Sequence, residues 1–190
     1  MRGAISDLLG LRESDAAGYT KGQGNLSITA RELATIGEMV RNDGTYRGHR
    51  IVSAAWLRAA LAPKVTISGS DPYADGYGYF WYSKVQQIEG KPVPVSFASG
   101  NGGNKIYVVP SRHLVVAITS SAYGHGYGQR RSENILRAII AFAPLQLGAD
   151  RLPARPLKFG LGAQAARNFT GGPQGGDQWG EMGFVQLKLG

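Results

Sequence analysis

Apolar residues along this chain recur at two spacings, and the change from one to the other marks out its elements. Leu33, Ile36, Met39 and Val40 follow a helical period. Thr29 and Glu32 stand just before them as a capping box, so a helix is predicted to open at Thr29. Asn42-Asp43-Gly44 supplies a left-handed stop. Tyr46 to Val52 reads as an extended connector. Ser53 is placed to cap a second, short helix running to Leu61, with Pro63 ending it. Residues 64–76 read as a loop.

From there the period falls to two. Tyr77 to Tyr82 reads as an aromatic strand, and Val93 to Ser99, Asn104 to Val109 and Leu114 to Ser120 as three more. Their connections are short, which favours antiparallel pairing in chain order. After the Gly-rich segment Tyr123 to Gly128, helical spacing returns. Ile135, Leu136, Ile139, Ile140 and Phe142 give a helix from about Arg131 to Phe142 an apolar side.

Residues 1–26 lack a period and read as loop, with a short turn at Leu8-Leu9. Beyond Pro144 the chain is rich in Gly, Pro and Gln, as in Thr170 to Gly176, and a mobile tail is expected over 144–190. One alternating, strand-like segment, Phe184 to Leu189, interrupts it. The pattern predicts an α+β domain over 1–143: an antiparallel sheet with flanking helices, followed by the tail.

Composition narrows the chemistry. The hydrophobic fraction is 43%, enough for a buried core in 190 residues. No cysteine is present, so thiol and disulfide chemistry are excluded. No apolar run reaches the roughly 20 residues that span a bilayer. The first ten residues hold one basic residue and no continuous apolar run, so no signal peptide is expected. The net charge is +8, yet Lys and Arg are scattered. Dispersed charge reads as solvated surface, and no nucleic-acid partner is expected. His49, His113 and His125 stand apart from one another and from any acidic cluster, so neither a metal nor another cofactor is expected. No Gly-x-Ser-x-Gly elbow occurs, and the Gly-rich stretches lack a dinucleotide-binding context.

The richest stretch is Phe97-Ala-Ser-Gly-Asn-Gly-Gly-Asn-Lys-Ile-Tyr-Val-Val-Pro110. Its first half carries little side-chain bulk, which lets backbone N–H groups approach a ligand. Together with Leu114 to Ser120 it resembles the active-site edge hairpin of serine β-lactamase and penicillin-binding-protein-like hydrolases, nearest to the esterase and class C-related branch. Other passages fit the same order. These are Leu9-Gly10-Leu11, Gly24-Asn-Leu-Ser-Ile-Thr-Ala-Arg-Glu-Leu-Ala34, Asn42-Asp-Gly-Thr-Tyr46 with Ile51-Val-Ser53, and Tyr77-Gly-Tyr-Phe-Trp81. The resemblance covers about residues 8–143 and implies the C-terminal part of a β-lactamase-like α/β sandwich.

It also implies roles. Ala98-Ser99-Gly100 falls where the family carries Lys-Thr-Gly, His-Thr-Gly or His-Ser-Gly. Ser99 would face the substrate, Gly100 would let the strand lie against it, and the backbone N–H of Asn101 would be one of two oxyanion donors. Ala98 departs from the usual cationic or His residue, which argues against true β-lactamase activity. Tyr77, Tyr79 and Trp81, on one face of a strand, would line the substrate cleft, although core packing is the commoner use of such a face.

The family's other two motifs are missing. No serine has a lysine three positions on, and no Tyr-x-Asn occurs. Ser132-Glu133-Asn134 has a Ser-x-Asn pattern but follows the hairpin, and reads as a helix N-terminus. In the family both absent motifs precede the Leu-Gly-Leu passage, so the resemblance implies a chain that starts after them. The expectation is a partial serine hydrolase domain, inactive alone, whose substrate is a small-molecule ester or amide. Its partner would be a missing N-terminal portion of the same enzyme. Family members are often periplasmic or secreted. The alternative is a non-catalytic binding module on the same sheet.

Overall fold

The computed structural model describes residues 28–142 and the backbone of Val185–Leu189. The Leu9 passage, the first four residues of the Gly24 passage, and the rest of the expected tail lie outside the described residues.

Helix α1 (Ala30–Arg41) opens as predicted. Thr29 Oγ1 accepts from the Glu32 N–H at 3.2 Å, and the Glu32 carboxylate accepts from the Thr29 N–H at 2.7 Å. These bonds favour the ionised form and hold the Glu32 carboxyl below its usual range. The connector after α1 is a small hairpin, β1 (Thr45–Tyr46) with β2 (His49–Arg50). Its two-residue turn, Arg47-Gly48, has positive φ at both positions, the geometry that matches strand twist. Ser53 caps α2 (Ala54–Leu61), its Oγ accepting from Trp56 N–H at 3.1 Å.

The remaining strands form one antiparallel meander in chain order: β3 (Val65–Thr66), β4 (Gly76–Tyr77), β5 (Tyr82–Ile88), β6 (Lys91–Ser99), β7 (Lys105–Val109), β8 (Leu114–Ile118) and β9 (Val185–Leu189). The fold is therefore α+β with an antiparallel sheet, as the pattern predicts. β9 pairs with β8, Leu114 opposite Leu189. These five residues form the last strand of the sheet.

The aromatic strand predicted from Tyr77 to Tyr82 does not form. Tyr77 is the last residue of β4 and Tyr82 the first of β5, and the two pair with each other. Between them the chain reverses, with Phe80 at φ 64 and Gly78 N–H bonded to Trp81 O at 2.7 Å. Five ring-bearing residues in six suggest a strand by propensity, but the small Gly78 and the left-handed Phe80 turn them into a loop. β5 was not expected. Glu89 and Gly90, both at positive φ, make the two-residue turn that joins it to β6. Pro92 and Pro94 lie in the half of β6 that pairs with β5 alone, so one strand edge there is free of ladder bonds.

β7 and β8 are buried at every position, because both sheet faces are covered. On one face Ile106 and Val108 pack with Met39 and Val40 of α1 and Leu57 of α2. On the other, Val95, Phe97, Tyr107, Val116 and Ile118 pack under Leu136 and Ile140 of α3 (Tyr127–Phe142). α3 begins a turn before the predicted start. Ser132 and Glu133 are therefore buried inside it rather than standing at its N-terminus.

Candidate functional site

The end of β6 is clamped to the start of α3. Ser99 pairs with Lys105 of β7, but β5 stops pairing at Phe97. β6 is an interior strand and not the predicted edge; only Ala98 and Ser99 are open on the β5 side. A 3-10 turn, Asn101–Gly103, follows. Gln129 Nε2 of α3 donates to Gly100 O at 2.8 Å, and Ser132 Oγ donates to Gly103 O at 2.6 Å. Gly124 N–H donates to Asn101 Oδ1 at 3.1 Å.

Ser99, Gly100 and Asn101 line one open cleft of about 290 Å³ with Asp71, Tyr73, Tyr82, Lys105 and Gln129. Ser99, at the free end of β6, lies beside the turn that Asn101 begins. As first residue of that turn, Asn101 has an N–H with no acceptor inside it. Ser99 Oγ faces the Gln129 amide oxygen at 3.4 Å and not a base. It is therefore a hydrogen-bonding hydroxyl, not an activated nucleophile.

The three predicted aromatic cleft residues are not brought together there. Tyr77 packs on Tyr82 with ring centroids 4.7 Å apart. Tyr79 stacks on Trp56 at 5.7 Å, and Trp81 packs against the α1 side of the core. The cleft's aromatic lining is Tyr73 and Tyr82. Burial raises the Tyr82 pKa, so its hydroxyl remains a donor.

Beneath the cleft lies a buried polar cluster that sequence reasoning missed. Glu133 descends from α3 between Lys84 of β5 and Lys105 of β7. One carboxylate oxygen takes the Lys84 ammonium in a hydrogen-bonded ion pair. The other accepts from Tyr107 Oη at 2.6 Å and lies 4.0 Å from Lys105 Nζ. Lys105 Nζ also sits 4.7 Å from the centroid of the Phe97 ring. Burial pushes the Tyr107 phenol well above the ordinary tyrosine range, reinforced by the Glu133 charge. Burial lowers Lys84, with Glu133 opposing the shift. It brings Lys105 down to about 8, with weaker opposition from Glu133.

A signal for this cluster exists in the sequence. Glu133 shares a helical stripe with Leu136 and Ile140, and Lys105 alternates with Tyr107 and Val109. A charge on each apolar face implies a partner across the layer.

The cluster gives stability a particular pH dependence. Between the folded Lys105 value near 8 and its ordinary 10.5, the unfolded chain holds more protons than the folded one. Stability should therefore rise with pH through this window, by about 2 kcal/mol, until tyrosine ionisation in the unfolded chain reverses it. Urea unfolding from pH 7 to pH 11 reads this rise. Lys105→Met should remove most of it; a rise that persists in full would assign it elsewhere.

Among the described residues no group of three His, Asp or Glu side chains is placed to hold a metal ion, and no helix is long and apolar enough to cross a membrane. No protein-family model matches the chain.

Proposed function

We propose that this chain forms the substrate-cleft wall of a serine hydrolase of the β-lactamase-related type, acting on an ester or amide through an acyl-enzyme. The observation that carries the reading is the meeting of Ser99, Gly100 and Asn101 at one cleft. The open end of β6 runs there into a turn whose first N–H has no acceptor inside it. A substrate carbonyl set against Gly100 would take the Asn101 N–H. Such a donor stabilises a developing oxyanion by about 3 kcal/mol. The Ser99 hydroxyl would hold the neighbouring part of the substrate. The nucleophile and base, a Ser-x-x-Lys helix and a tyrosine, would come from another segment.

A second reading has a specific observation in its favour. Ser99 faces an amide and not a base. A binding module that uses the same cleft without turnover fits that fact.

Hydrolysis separates the two. The chain alone should give no labelling by a fluorophosphonate at any serine. Mixing it with, or fusing it to, a Ser-x-x-Lys-bearing portion of a β-lactamase-related esterase should produce turnover of a p-nitrophenyl ester above that of the portion alone. Stoichiometric labelling of the chain by itself would contradict the assignment of roles. A reconstituted pair with no added turnover would favour the binding module.

A further inference from the structure

Lys105 is the one cluster member that also lines the cleft that holds Ser99 and Asn101. It is 97% buried by its 3% exposure. Its ion-pair partner Glu133 is 4.0 Å away, beyond hydrogen-bond reach, and that carboxylate is already bonded to Lys84 and Tyr107. Among the described residues no acceptor completes the Lys105 ammonium. Three strong donors, one weak partner and an adjoining cleft make an incomplete electrostatic arrangement.

The groups facing Lys105 set what would complete it. Glu133 of α3 carries one negative charge against the positive charges of Lys84 and Lys105. Phe97 of β6 and Tyr107 of β7 contribute ring faces. Asp71, on the loop across the cleft, has one carboxylate oxygen taken by the Tyr73 N–H at 2.8 Å. The buried cluster of Lys84, Lys105 and Glu133 carries one positive charge, and Asp71 across the cleft offsets part of its field and limits the cleft to a single small anion held against Lys105.

We propose that Lys105 and this cleft form a subsite for a single oxyanion, most favourably the carboxylate of a small ligand. Tyr82 is placed to add a hydroxyl donor. The subsite deepens the reading of the cleft as a substrate wall by giving its ligand a charge, but needs no acyl chemistry.

The test is an amide-resolved NMR titration of the full chain with sodium acetate and, separately, inorganic phosphate, at constant ionic strength. Acetate should shift the Gly100, Asn101 and Lys105 amides saturably at pH 7. Between pH 7 and pH 9.5 its affinity should fall at least about tenfold, because the lysine loses its proton through its value near 8. Lys105→Met, checked for folding by circular dichroism, should abolish the saturable shifts. If that variant does not fold, the pH dependence of the unaltered chain decides. Tighter binding of phosphate than acetate would keep the oxyanion and make its source a phosphate group. No saturable shift with either anion, or one unchanged at pH 9.5, would overturn the subsite. That failure would leave the hydrolase reading standing, since no turnover is measured.

Discussion

Replacing Glu133 with alanine should cost about 3–5 kcal/mol of folding free energy, a large fraction of the stability of a domain this size. The carboxylate is buried and makes the ion pair with Lys84, accepts from Tyr107 and neutralises Lys105 from 4.0 Å. Without it two ammonium groups and a phenol are left in the core with no hydrogen-bonded acidic partner. Both lysines would then lose protons more readily, because burial already lowers them. The triple change Glu133→Leu, Lys84→Met, Lys105→Met removes all three charges together and should recover most of the loss, since apolar replacement of a whole buried ion cluster is often neutral or stabilising. Urea midpoints of the two variants decide it. A single-variant loss under about 1 kcal/mol would mean that water reaches the cluster and that Glu133 is not its keystone.

Gly103→Ala is the other change with a large expected effect. Gly103 has φ +91, and a Cβ there would lie 2.3 Å from the Gly128 carbonyl oxygen. The obstacle is backbone, so no side chain can swing away. Left-handed strain adds about 1–2 kcal/mol. Gly128 is equally confined, since its own Cβ would lie 2.3 Å from the Gly102 oxygen. The turn after β6 and the first turn of α3 therefore touch through bare backbone. Forcing them apart also strains the Gln129 bond to Gly100 and the Ser132 bond to Gly103. The expected loss is at least about 3 kcal/mol, with the Ser99–Asn101 wall displaced. Gly124→Ala is the control: φ is +76, but nothing lies within 4 Å of the added carbon. It should cost only the strain. Equal losses at the two positions would show that conformation alone, and not the close approach, limits Gly103.

Much of this architecture is legible in the residues. Thr29, Glu32 and Ser53 announce two helix starts because a capping oxygen must stand at a fixed offset from the N–H it accepts. The three strands from Val93 to Ile118 announce themselves by β-branched density. The aromatic passage misled because propensity is summed along a run, whereas Phe80 reverses the chain at a single residue. The hairpin turns at Arg47-Gly48 and Glu89-Gly90 were missed because neither has the Asn-Gly or Asp-Gly form.

At the site, Ser99, Gly100 and Asn101 are adjacent in sequence, so local reading brings them together. Lys84, Lys105 and Glu133 come from three elements, and only the packing of α3 on the sheet makes them neighbours. The replacement of Tyr77, Tyr79 and Trp81 by Tyr73 and Tyr82 in the cleft has the same origin: it depends on where the chain turns.

The claim that the end of β6 is a substrate wall is tested most directly by three variants in the reconstituted hydrolase. Gly100 has an ordinary extended backbone, and a Cβ there meets Asn104 alone, its Cβ at 3.3 Å and its carbonyl oxygen at 3.8 Å. Gly100→Val should thus leave the fold in place while pushing substrate off the strand and away from the Asn101 N–H. Ester turnover, kcat/KM, should fall at least about tenfold, equivalent to about 1.4 kcal/mol. Ser99→Ala should cost less, because it removes one hydroxyl and keeps the backbone donor. Asn101→Ala should cost least, because the reaction uses only its N–H. Turnover abolished by Asn101→Ala but unaffected by Gly100→Val would contradict the assignment and leave the stretch a structural turn.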